Sequence, residues 1–307
     1  MSGFDKNNSQ DSFPASSGAQ AGPFGVVRDI DSFHSHRVKV LVAAFEGWND
    51  AGDAATDAVK MLAEHYGARE VCEVPADEYY DFQYSRPRIV RSASGESKLV
   101  WPSAKLSTAT VDGTNLDLVL LHGWEPSYRW KRFCAEILEQ AAAMDVDFVV
   151  MLGALLADVP HTRPLPVSVT SDTVELQDEL DVSGAEYEGP VGIVGVLSHL
   201  AAMAGIPTVS LWAAVPHYVG QSPSPKAQLA LAHKLEDLLN LRLPLDELAE
   251  DAEAWERGVN ELAAEDPDVA AYVTKLEEAK DTADLPEASG DAIAQEFERF
   301  LRRRDQE

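Results

Sequence analysis

The chain has 307 residues, 45% of them hydrophobic, and a formal net charge of −27. That much apolar material can bury a sizeable core and an appendage, which excludes a disordered chain. The negative field repels phosphate backbones and anionic lipid, so neither nucleic acid nor a membrane surface is an expected partner.

Residues 1–36 are rich in Ser, Gly, Asn and Gln and read as a loose arm, with no signal-like apolar core at their start. His34 and His36 lie there without Cys or carboxylate partners, and no metal and no cofactor are expected. From residue 37, strand-like and helix-like segments alternate. "VKVLVAAF" predicts a strand, 50–66 a helix and "EVCEVP" a strand, followed by a β-rich insert through "PRIVR", "KLVWP" and "KLSTATV". Next come "LDLVLLHG" (strand), 128–144 (helix), "DFVVMLGAL" and "PVSVTS" (strands), 191–204 (helix), "TVSLWAAV" (strand) and 225–240 (helix).

This alternation argues an α/β domain over 37–243, with helices on both faces of a mixed, largely parallel sheet. Residues 244–307 predict an acidic helical domain, with 20 acidic and 7 basic residues after 245. Two of its helices pack through Leu248, Trp255, Val259 and Leu262, then Val269, Tyr272, Val273 and Leu276, and a third covers 292–304. No apolar run approaches the roughly 20 residues that cross a bilayer. Cys72 and Cys134 lack metal or redox spacing, so two buried free thiols and a cytoplasmic protein are expected.

Four strands end in loops where a Gly or Pro breaks the apolar run and polar residues follow. They hold Glu46, Asn49 and Asp50; His122 and Glu125; His161 and Arg163; and His217 and Tyr218. Parallel strands bring such loops to one rim, where open α/β sheets bind ligands. Glu46, Asp50, His161 and His217 are candidates for acid or base work; Arg163, Asn49, His122, Glu125 and Tyr218 are candidates for holding an anion or ligand. Each has a structural alternative. Asn49 or Asp50 can cap a helix, the histidines can bond loop carbonyls, and Arg163 suits either a buried ion pair with Glu46 or Glu125 or an anion. No nucleophile elbow, nucleotide loop or His-Glu-x-x-His is present.

"FEGWNDAG", "GWEPSYRW", "DVPHTRP", "YEGPVGIVGVL" and "VPHYVGQSPSPKA", in that order, resemble the proteasome assembly chaperone 2 (PAC2) family in its actinobacterial branch. The resemblance implies a three-layer α/β/α fold of the phosphorylase/hydrolase-like group, a small C-terminal helical domain, and self-association, with a trimer as the candidate. It also implies protein partners, relatives docking on proteasomes through a C-terminal hydrophobic-Tyr-any tripeptide. This chain ends "RRRDQE", so binding by that tripeptide is not expected. Two functions stay open: a non-catalytic assembly or interaction protein, and an enzyme or small-anion binder in which Arg163 holds an anion, a His acts as acid or base, and Glu46 orients it.

Overall fold

The computed structural model describes residues 37–283 apart from 93, 185, 186, 221 and 222. The N-terminal arm, the helix expected over 292–304 and the C-terminal "RRRDQE" lie outside the described residues.

A seven-stranded sheet runs in the order β2-β5-β6-β1-β7-β9-β8. Its centre is β6 (Leu116–Trp124), β1 (Val38–Glu46), β7 (Phe148–Ala157) and β9 (Thr208–Pro216), all parallel. Antiparallel pairings close both sides: β5 (Ala104–Val111) on β6 and β2 (Arg69–Val74) on β5 at one, β8 (Val167–Ser171) on β9 at the other. Hence "KLSTATV" of the predicted insert joins the main sheet. "PRIVR" and "KLVWP" form a separate antiparallel ribbon, β3 (Arg88–Arg91) with β4 (Ser97–Val100).

Side-chain alternation along β1 divides the core in two. Val38, Val40, Val42 and Ala44 pack with α1 (Ala54–His65) and α6 (Pro225–Leu239) on one face. Leu41, Ala43 and Phe45 pack with α3 (Trp130–Ala143) and α5 (Ile193–Met203) on the other. The stripes that build this core are those of the sequence: Val59 and Leu62 on α1, and Phe133, Cys134 and Ile137 on α3, are all 0% exposed. Two short helices escape periodicity because a turn or two has no stripe: α2 (Ala76–Tyr79) and α4 (Val174–Leu180).

After Pro244, α7 (Asp246–Glu265) and α8 (Pro267–Ala283) form a contacting pair broken at Asp266-Pro267, where proline forbids the helix to continue. Val259 and Val273 are buried. Leu262, placed in the buried stripe by its spacing, is instead 64% exposed; the stripe is narrower than the sequence implied because Ala252 and Ala263 supply the rest of α7's buried face. Both cysteines are free; Cys134 is buried, but Cys72, expected to be buried, is only half-buried because β2 is an edge strand.

Candidate functional site at the carboxyl rim of the sheet

All four central strands run the same way. Glu46 pairs in register with Trp124 and Ala157 with Pro216, so the loops after β1, β6, β7 and β9 share one rim. They form two halves with different partners.

In the β6–β1 half, the chain leaves β1 through Gly47, whose φ of 134° lies in a region L side chains rarely adopt. It then bonds across to β7, Ala154 N–H donating to the Asn49 carbonyl at 2.8 Å. Asp50 follows, 5% exposed. Its carboxylate accepts from the N–H groups of Ala55 and Thr56 and from the Thr56 hydroxyl, satisfying donors left open at the start of α1. Burial lifts this carboxyl to about 6, against hydrogen bonds from Thr56 and Ala55 that pull it down.

Glu125 is held by its backbone N–H to the Glu46 carbonyl, and its side chain accepts from the Ile193 N–H, the first of α5, at 2.9 Å. A carboxylate there suits the positive end of the helix. Gly192 lets it approach, since a Cβ at 192 would fall 1.8 Å from Asn49 Oδ1 and 3.0 Å from Glu125 Oε1. Asn49 Oδ1 itself is buried without a hydrogen-bond partner. Glu46 pairs with Lys60 and Arg88 at 3.3 and 3.5 Å, and Arg88 also lies over the Trp124 ring, 4.9 Å from its centroid. His122 is a residue of β6 rather than of a loop, in register with Ala44 and Lys105. Burial, then the Lys60 charge, lower its proton affinity.

The β7–β9 half is covered by the helical pair. His161 is 0% exposed. The Tyr218 hydroxyl accepts from the His161 backbone N–H and lies 2.8 Å from Nδ1, while Nε2 lies 3.1 Å from Asn260 Oδ1 on α7. One proton arrangement satisfies every atom: Tyr218 O–H donates to Nδ1 and Nε2–H donates to Asn260, which makes the ring neutral. Burial depresses its proton affinity in the same sense. Lys226 donates to the His161 carbonyl and pairs with Glu256 of α7.

Arg163 meets neither Glu46 nor Glu125. It forms a two-pronged pair with Asp281 of α8, both bonds 2.8 Å, with Glu277 at 3.3 Å; these carboxylates hold its guanidinium above its ordinary range. His217 Nδ1 lies 3.2 Å from Asp158 Oδ1, which also accepts from the Tyr272 hydroxyl of α8. The expected arrangement in which Glu46 orients a histidine is therefore not made: Glu46 sits in the other half, bridged to Lys60 and Arg88. Sequence reasoning missed Asn260, Glu277 and Asp281, because nothing in an acidic helix distinguishes the side chains that turn inward.

Among the described residues, no group of three or more His, Cys, Asp or Glu is arranged to hold a metal ion, and no helix is long and apolar enough to cross a membrane. An open groove of about 660 Å³ lies at the opposite, amino end of the strands, lined by Lys39, Tyr66, Arg69, Thr110, Asp112 and Asp117.

Fold and rim together define a three-layer α/β/α protein whose mixed sheet carries a helical pair over half of its carboxyl rim. The model of the PAC2 family matches residues 44–263, and the chain belongs to that family. The match runs past residue 243 and takes in most of α7.

Two solved structures are similar at high identity. A PAC2 family protein from Streptomyces avermitilis is 51% identical, with a TM-score of 0.72 over 76% of this chain and 99% of that one. A proteasome-assembly chaperone homologue from Mycobacterium tuberculosis is 48% identical, with a TM-score of 0.69 over the same shares. An archaeal proteasome activator from Pyrococcus furiosus, 15% identical with a TM-score of 0.58 over 74% of this chain and 94% of that one, shares the fold alone. No curated protein matches the chain.

Proposed function

We propose that this chain is a chaperone-like assembly or interaction protein without catalytic activity of its own, and that it acts on protein partners as a homo-oligomer. The observation that carries the reading is His161. A general acid or base needs a free nitrogen within reach of substrate, whereas this ring is enclosed and both nitrogens are engaged by Tyr218 and Asn260. The other rim residues support the same reading: Asp50 and Glu125 serve helix starts, and Arg163 is spent on Asp281.

The 48% identical relative is described as a proteasome-assembly chaperone homologue, so proteasome core subunits are the first partners to offer. Purified chain is mixed with separately produced core subunits, and assembly intermediates are followed on native gels. Faster appearance of assembled particles, undiminished by His161→Gln, is expected. No complex and no change in assembly rate would count against the reading.

A small-ligand role for the β6–β1 half is the second reading, favoured by the buried, partnerless Asn49 Oδ1 beside Glu125. Thermal-shift screening with small amines, amides and phosphorylated compounds tests it. A stabilising compound whose effect vanishes in Asn49→Ala would promote this reading over the first.

A further inference from the structure

The two helices that cover the β7–β9 half are fastened in unlike ways. α7 is seated through Ala252, Val259 and Ala263, all buried, and through Glu256, whose carboxylate meets the mostly buried Lys226. α8 has Val273 as its only buried side chain among the described residues, and it packs mainly on α7. What ties α8 to the rim is polar. The Tyr272 hydroxyl donates to Asp158 at 3.0 Å, and its ring stands edge-on to those of His217 and Tyr218.

The remaining ties converge on the loop after β7. The Thr162 hydroxyl donates to Glu277, and the Arg163 guanidinium makes two bonds of 2.8 Å to Asp281 and one of 3.3 Å to Glu277. Glu277 and Asp281 are an i, i+4 pair, neighbours on one face of α8. The loop thus grips two carboxylates one helical turn apart. Pro160 and Pro164 stiffen it on either side, and the planar fork of an arginine selects carboxylates by geometry as well as charge.

This grip is open to exchange. The side chains of Arg163 and Asp281 are 35% and 55% exposed, where water and salt compete for the pair. Asp266, extended at φ −117° and ψ 109°, separates α8 from α7, and its carboxylate accepts from the N–H groups of Asp268 and Val269. α8 therefore carries its own cap and can swing away as a unit while α7 stays seated. Its departure would uncover Thr162, Arg163, His217 and Tyr218, a surface holding the Arg and Tyr types enriched at the centres of protein contacts.

We infer that this surface is a concealed docking site for an acidic helix of a protein partner, presenting carboxylates at i and i+4, and that α8 is its built-in competitor. Glu277 and Asp281 stand where the partner's pair would be held. The net charge of −27 does not bar such a partner, because charges farther than about 8 Å are largely screened at physiological salt, and Arg163 and Thr162 decide the contact. The inference rests on the interaction reading above and names the surface and the chemistry of what it takes.

Fluorescence anisotropy with the full chain tests it. The probe is a labelled peptide of residues 267–283; the control peptide carries Glu277→Gln and Asp281→Asn and keeps Asp268 and Glu278. Apparent affinity scales with the fraction of molecules whose surface is open. The same two substitutions made in the chain loosen α8, so the acidic peptide should bind that variant about tenfold tighter than wild type, or more. Adding Arg163→Ala should remove the gain, and the control peptide should show none. Hydrogen exchange in the variant should rise in α8 and stay unchanged in α7.

A variant that binds the acidic peptide no tighter than wild type would overturn the proposal. So would a gain that survives Arg163→Ala or is shared by the control peptide, or unchanged exchange in α8, since the helix would then be held elsewhere. The readouts separate the two claims. Peptide binding as described, by a chain that does not assist assembly, defeats only the functional reading, whereas assistance by a chain that ignores the peptide defeats only this one.

Discussion

The two halves of the rim begin from the same kind of sequence and end in different structures. In both, an apolar strand breaks at Gly or Pro and polar residues follow. In the β6–β1 half two of those residues turn to backbone, Asp50 to the start of α1 and Glu125 to the start of α5, and Glu46 turns to Lys60 and Arg88 nearby. In the β7–β9 half they turn to side chains that arrive about a hundred positions later: His161 to Asn260, Arg163 to Asp281. A polar loop at a strand end is thus a set of unsatisfied groups, and whether helix ends or a distant segment satisfies them is decided by what the topology brings near.

Ending the chain at Leu243 breaks the comparison most severely. We propose that residues 37–243 fold as a unit, so the truncated protein should keep the circular dichroism of its sheet and core helices. His161 would lose Asn260, and Arg163 both carboxylates, so hydrogen exchange should rise sharply in the loops after β7 and β9 and stay unchanged after β1 and β6. Uniform loss of protection would mean that the two halves do not separate.

His161→Ala should cost about 4 kcal/mol, chiefly the cavity left by a buried ring with the half-buried Tyr218 hydroxyl losing its partner. Urea denaturation reads the total, and a cost below about 1 kcal/mol would show that the helices do not depend on this ring.

The pH dependence sharpens the contrast, since the buried groups of the two halves have opposite signs. Asp50, lifted from 3.8 to about 6, binds its proton more readily folded than unfolded, so stability declines as pH rises through that interval, by about 3 kcal/mol in all. Asp50→Asn keeps an acceptor for Ala55 and should flatten that decline. His161 is depressed from 6.5; below that value the unfolded chain takes up the proton first, and stability falls on acidification. His161→Gln should remove this second slope without touching the first.

Arg163→Ala should have the smallest effect. Its guanidinium is partly exposed and its pair with Asp281 is open to solvent, where salt screens much of the attraction. The expected result is a near-unchanged denaturation midpoint with faster exchange in α8, a difference from wild type that shrinks in high salt. A large drop in the midpoint would show that α8 is fastened mainly at this pair.

The sheet was legible because its strands carry continuous apolar runs bounded by Gly and Pro, and because α1 and α3 repeat apolar residues at helical spacing. The shared rim followed from parallel strands alone. What escaped was pairing. The side chains of Arg163 and Glu46 could be paired on paper because both lie at strand ends, yet Lys60, Arg88, Asp281 and Glu277 are nearer. The β-rich insert hid two destinations, since four-residue strands such as "RIVR" and "SKLV" carry no mark of whether they join a main sheet or stand apart.

The distance along the chain between His161 and Asn260 has a consequence in time. The two are 99 residues apart, and Arg163 and Asp281 are 118 apart. At about 5–20 residues per second of synthesis, the loop after β7 waits roughly 5–20 s for its acceptor. Through that interval β1, β6 and β7 are already available to pair, while one end of the growing sheet presents an uncapped histidine and arginine to solvent. The helical pair acts as a seal on loops made before it, so a chain stopped between α6 and α7 is expected to keep its sheet and core helices with half of the rim uncovered.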